Sequence, residues 1–97
     1  MLTKNRKPSH PGEILKELYM EPLGLTQQVL ADHLGSTRAA ISEIVNGRRG
    51  VSPEMALKLA DAFTTSPELW ENLQRDYDLY RAKAKHKTIP PIGKISA

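Results

Sequence analysis

Only Gly35 and Ser36 lie between a helical pattern whose last apolar position is Leu34 and a second pattern that starts at Thr37. A link this short forces the two helices to cross steeply, as in a helix-turn-helix. Ala31 then falls at the crossing, where a larger side chain would push the helices apart. Gly35 takes the tight turn that a β-carbon would resist.

The rest of the chain is punctuated to match. Pro11, Pro53 and Pro67 follow His10, Ser52 and Ser66, which is the preference of proline for the first position of a helix behind a capping residue. Gly24, Gly35 and Gly47 each follow an apolar periodic segment, as helix-ending glycines do. Five helices result, with an all-α fold class. The first runs from about 11 to 21, offers Ile14, Leu15 and Leu18 to the core, and is stopped by Pro22 and Gly24. The second is capped by Thr26 and buries Leu30, Ala31 and Leu34. The third is capped by Thr37 and buries Ile41, Ile44 and Val45. The fourth buries Met55, Ala56, Leu59, Ala60 and Phe63, and the fifth shows Leu69, Trp70, Leu73, Tyr77 and Tyr80 on one side. Pro90-Pro91 forbids helix near the end, so a short extended or disordered tail is expected there. The boundaries are an N-terminal arm at 1–10, the helical domain at 11–80 with its helix-turn-helix at 26–46, and a tail at 81–97.

Charge is unevenly spread. The net charge of +3 says little by itself, but residues 51–80 carry six acidic groups against two basic ones, and residues 81–97 carry five basic groups and no acid. The first fifty residues are mildly basic. With no cysteine in the chain, disulfides and thiolate chemistry are excluded and stability must come from packing. No apolar run reaches membrane-spanning length, so a soluble cytoplasmic protein is expected, with no membrane partner.

The third helix has an unusual outer face. Ordinary surface helices place Lys, Glu and Gln outward; here Arg38, Ala39, Ser42, Glu43 and Asn46 alternate stubby side chains with single polar heads. Small residues permit close approach to base edges in a DNA major groove. Arg38, in the first turn, can reach the O6 and N7 of a guanine with two hydrogen bonds. Thr37, Arg38, Ala39, Ser42 and Glu43 form the base-reading set, with Ala39 able to meet a thymine methyl. Asn46, Arg48 and Arg49 at the far end, and Gln27 at the start of the second helix, are placed to hold phosphates.

The stretch LTQQVLADHLGSTRAAISEIVNGRRGVSPEMALKLADAF resembles the lambda-repressor-like (Xre-type) DNA-binding domain. Its flanks, HPGEILKELYMEPLGLTQ and TTSPELWENLQRDYDLYRA, narrow the resemblance to the HigA antitoxin family, also called VapA/VapI-type. The likeness covers roughly residues 8–82. Carried over position by position, it puts base reading on Arg38, Ala39, Ser42 and Glu43, and phosphate holding on Gln27, Asn46 and Arg48. Ser36-Thr37 departs from the apolar residue that relatives often carry before the cap. Ala39-Ala40 leaves fewer hydrogen-bonding groups, which shifts sequence preference toward DNA shape. The resemblance implies the antitoxin of a type II toxin–antitoxin module. Such a protein is a dimer that binds the palindromic operator of its own operon in double-stranded DNA and neutralises a HigB-type mRNA-cleaving toxin by protein–protein contact. A stand-alone phage- or plasmid-type repressor without a toxin is the competing reading.

The remaining features divide less cleanly. Leu69, Trp70 and Leu73 suit closure of the core. Tyr77 and Tyr80, further out, suit an isologous dimer interface, which a protein reading two half-sites requires. The basic tail is either a solvated end, a phosphate-contacting arm, or a segment that orders on the toxin or partner subunit. The acidic stretch 51–80 is the better toxin-facing surface on charge. His10, His33 and His86 are scattered, and no nucleophile elbow or phosphate-cradling glycine loop occurs, so no enzyme activity, metal, cofactor or small-molecule ligand is expected.

Overall fold

Each helix of the protein starts where a side chain accepts an otherwise orphaned backbone N–H. In a computed structural model, which describes residues 7–93, the Oγ atoms of Thr26, Thr37, Ser52 and Ser66 accept from the N–H groups of Val29, Ala40, Met55 and Leu69 at 3.1, 3.1, 3.1 and 3.2 Å. His10 does the same with its ring, Nδ1 accepting from Gly12 N–H at 2.9 Å. The first six residues of the arm and residues 94–97 of the tail lie outside the described part.

Five helices follow. α1 starts as Pro11–Ile14, continues through Leu15–Met20 and closes with Glu21–Leu23; α2 is Gln27–Leu34, α3 Arg38–Val45, α4 Pro53–Phe63 and α5 Pro67–Lys85. The all-α reading holds, and no strand occurs among the described residues.

The middle of α1 differs from expectation. Leu15–Met20 winds as a π-helix, whose hydrogen bonds run between residues five apart; the Glu21 N–H donates to the Lys16 carbonyl. The wider turn accommodates Pro22, whose ring would clash with the carbonyl four residues earlier in a regular α-helix. The helix therefore does not end before Pro22 but reaches Leu23. The register change also corrects the core assignment. Residues five apart now share a face, so Met20 joins Leu15 in the interior, while Leu18 turns outward with 62 % of its surface exposed.

Apart from Val51, which no helical pattern marked, the rest of the buried cluster is the expected one. Leu15, Met20, Leu30, Ala31, Leu34, Ile41, Ile44, Val51, Ala56, Leu59 and Trp70 form one buried cluster, each large aliphatic side chain contributing about 1.5–3 kcal/mol by its removal from water. Met55, Phe63, Leu69, Leu73 and Val45 line its edge, half-buried. Trp70 is fully enclosed; its indole N–H donates to Thr65 Oγ1 at 2.9 Å. Tyr19 packs against it and against Phe63, with ring centroids 5.3 and 5.1 Å apart.

Two glycines sit where a side chain would be unfavourable. Gly35 caps α2 at φ +66°, in the left-handed region where a β-carbon is disfavoured. Gly12 allows α1 to touch α3 backbone to backbone; a β-carbon there would lie 1.7 Å from the Ile44 carbonyl oxygen. At the other end, α4 is capped without glycine. Thr64 takes the left-handed conformation at φ 55°.

α5 continues to Lys85, five residues beyond the boundary expected at 80. Only Trp70 of its nineteen residues is buried, and its outer half projects from the bundle. The described residues span 56 × 28 × 23 Å.

Candidate nucleic-acid interface

The outer face of α3 is built from its cap onward. Thr37 holds the first turn, and Ala40 and Ile41, four and three residues before Ile44, join it in drawing the opposite side into the core. What remains outside is the predicted set. Thr37, Arg38 and Ala39 are exposed, Ser42 and Glu43 half-buried, and Asn46 exposed again. The two neighbouring alanines are thus separated by function of position: Ala40 packs inside and Ala39 points out.

Polar atoms along this face are already organised. Asn46 Nδ2 donates to Ser42 Oγ at 3.3 Å. The turn after α3 folds back onto Glu43, whose carbonyl oxygen accepts the N–H groups of Arg48 and Arg49 at 2.8 and 3.1 Å. Glu43 Oε1 also pairs with the Arg49 guanidinium at 2.6 Å. So exposed a pair contributes at most about 1 kcal/mol, but it ties one base-reading candidate to one phosphate-holding candidate. Arg48 makes no ion pair with a described residue.

The start of α2 joins the same surface. Thr26, Gln27 and Gln28 share a shallow cleft with Arg38, and Gln27 shares a second with Asn46 and Lys16 of α1. Gln27, Arg38 and Asn46 are therefore neighbours on one side of the molecule, beside the N-terminus of α2 with its unsatisfied N–H groups and positive dipole end. Lys16 escaped the sequence reading because its place depends on how α1 docks on α3, which the Gly12–Ile44 contact sets and no local pattern shows.

His10 is a second residue whose role exceeds expectation. Besides capping α1, its ring meets Tyr77 edge-on, with centroids 4.8 Å apart, and shares a cleft with Gly47 just past the end of α3. Burial lowers its pKa from the usual 6.5, outweighing the carboxylates of Asp78 and Glu13, which raise it; Arg81 lowers it further. Tyr77, expected at a dimer interface, is half-buried, engaged by His10 and by the Arg81 guanidinium 5.7 Å from its ring centre. Tyr80 is 40 % exposed. Among the described residues, no group of three or more His, Asp or Glu is arranged to hold a metal ion, and no helix is long and apolar enough to cross a membrane.

Residues 15–70 match the helix-turn-helix family model. Virulence-associated protein A of Dichelobacter nodosus is 46 % identical over 81 residues, covering 82 % of this chain and 79 % of the relative. Antitoxin HigA-1 of Vibrio cholerae is 36 % identical over 87 residues, covering 90 % and 82 %. The chain belongs to the HigA antitoxin family of helix-turn-helix proteins. The Pseudomonas aeruginosa antitoxin HigA, solved with the higBA promoter, superposes on this HigA-type chain with a TM-score of 0.79 at 37 % identity, over 80 % of this chain and 85 % of that one. HigA-family proteins are DNA-binding antitoxins and transcription regulators, and the helix-turn-helix in question is the α2–α3 pair described above.

Proposed function

We propose that the protein is a homodimeric, cytoplasmic antitoxin that represses its own operon through a palindromic operator and neutralises a HigB-type mRNA-cleaving toxin by direct contact. The observation that carries the DNA half is the outer face of α3, small and polar, with Gln27 and the Arg48 turn at its two ends. Arg38 reads a guanine, Ala39 meets a thymine methyl, and Thr37, Ser42 and Glu43 complete the base-facing set. Gln27, Asn46 and Arg48 hold phosphates. Arg49 joins them by exchanging its Glu43 partner for a phosphate oxygen, which frees the carboxylate to accept from a cytosine amino group. Support for the toxin half comes from the likeness to proteins that bear the antitoxin name.

Arg38→Ala should weaken binding to the operator by about 1–3 kcal/mol and leave binding to scrambled DNA nearly unchanged. Equal losses on both would remove Arg38 from base reading. Arg48→Ala should weaken both alike and lower the slope of log affinity against log salt by about one; an unchanged slope would exclude a phosphate contact. For the toxin half, co-expression with the product of the adjacent small open reading frame should rescue growth and yield a complex that co-purifies. A harmless neighbour that never co-purifies would leave an operator-binding repressor without a toxin.

A further inference from the structure

The start of α4 and the outer half of α5 enclose an apolar groove that the helix-turn-helix does not use. Val51, Pro53, Leu79 and Ala82 line it, and Glu71 and Asp78 stand at its rim. Gln74 fixes its shape, with Oε1 accepting from Val51 N–H at 2.7 Å and Nε2 donating to Asp78 Oδ1 at 2.9 Å. Arg75, also on the rim, lies 3.3 Å from Asp76, so with Glu71 and Asp78 the net charge beside the groove is negative. Leu79 is 48 % exposed, and no described residue covers it further.

The segment that follows α5 has the complementary character. Lys83, Lys85, His86 and Lys87 lead into Thr88-Ile89-Pro90-Pro91-Ile92, a stretch with no regular hydrogen bonding until the turn at Gly93. Two consecutive prolines fix φ near the value of polyproline II, which has three residues per turn and places positions i and i+3 on one face. Ile89 and Ile92 are so spaced, and they are 76 % and 74 % exposed. An apolar ridge behind a basic lead therefore lies close in sequence to an apolar groove with an acidic rim. The segment leaves the last turn of the same helix that walls the groove, yet Ile89 and Ile92 stay exposed and neither lines the groove of its own chain.

We propose that residues 85–92 of one copy dock in the α4–α5 groove of a second copy, with Ile89 and Ile92 against Val51, Leu79 and Ala82 and the lysines facing Glu71 and Asp78. The exchange is reciprocal, as an isologous pair requires, and it recognises a proline-fixed segment at low ordering cost. It rests on the dimer assigned under the proposed function.

The chain has no cysteine, so Thr88→Cys provides a single site for a nitroxide label. An excess of the nitroxide-labelled protein is refolded together with ¹⁵N-labelled chain that carries no nitroxide. Broadening of the Val51, Leu79 and Ala82 amides in this mixture, reversed by reducing the nitroxide and abolished by adding Ile89→Ser and Ile92→Ser to the spin-labelled chain, is the expected result. No broadening overturns the proposal. Broadening confined to samples in which label and ¹⁵N share a chain also overturns it, since the groove then takes its own tail. Operator affinity and mass by light scattering on the same samples separate the two readings: a DNA-binding dimer without broadening loses the tail exchange alone, and broadening without operator binding loses the repressor alone.

Discussion

α3 and the outer half of α5 are both short helical surfaces facing solvent, yet they are held in opposite ways. α3 has eight residues, three of them buried, a threonine cap, and a backbone contact with α1 at Gly12. The outer half of α5, from Arg75 to Lys85, has no buried residue and extends past the bundle. In α3, the exposed face is presented by a support that leaves it little freedom. In α5, the exposed face belongs to a helix whose own contacts end near Tyr77. A surface that must fit a rigid groove in DNA belongs on the first kind of helix, and a surface that meets another protein can belong to the second.

Substitutions that cut the support of each helix should show this difference. The largest effect is expected at Trp70, where α5 enters the core: Trp70→Ala should cost about 3–5 kcal/mol in chemical denaturation, whereas a value below 1 would mean that the inner half of α5 is as loosely held as its outer half. Gly12→Ala should follow at about 3 kcal/mol, since the added carbon must displace the backbone of α3 rather than a side chain. Its operator affinity, measured where the variant is still folded, should fall with the tilt of α3; unchanged affinity would mean that the docking of α1 does not position the reading face. Thr37→Ala removes the α3 cap and should cost about 1 kcal/mol. A neutral result would show that the first turn is held by Ile41 and Ala40 alone.

The smallest effect is a pH dependence at His10. Its pKa is depressed in the fold, so the unfolded chain binds the proton more readily. The stabilising contribution is complete above the unfolded value near 6.5 and is lost as pH falls through the lower folded value. Protonation also fills the Nδ1 lone pair that accepts from Gly12 N–H. Stability followed by thermal melting should therefore decline on the acid side of 6.5, and part of that decline should vanish in His10→Asn, which retains a capping oxygen but does not titrate. An identical slope in the variant would assign the acid sensitivity to the carboxylates.

Most of the fold was legible because its signals are local. Caps at Thr26, Thr37, Ser52 and Ser66, prolines behind two of them, and the 3.6-residue spacing of Leu30–Leu34 and Ile41–Ile44 all act within one or two turns. The α3 face was equally plain, since side chains that stay short on an exposed helix stand out against ordinary surface composition. Leu18 was misplaced because Pro22 is accommodated by a π-helical turn that changes which residues share a face, and a straight-helix template does not show it. The place of Lys16 beside Gln27 and Asn46 and the edge-on contact of His10 with Tyr77 depend on how helices meet. Spacing along the chain does not encode those meetings.

The burial of Trp70 has an optical consequence. It is the only tryptophan in the chain, and its indole is fully buried, hydrogen-bonded to Thr65 and flanked by Tyr19. Its emission should be blue-shifted in the native protein and should move to the red in one step when the bundle opens. The indole belongs to the core rather than to the α3 face, so added operator DNA should leave that emission nearly unchanged. The protein thus carries an intrinsic fluorophore that separates loss of structure from loss of DNA binding in a single cuvette.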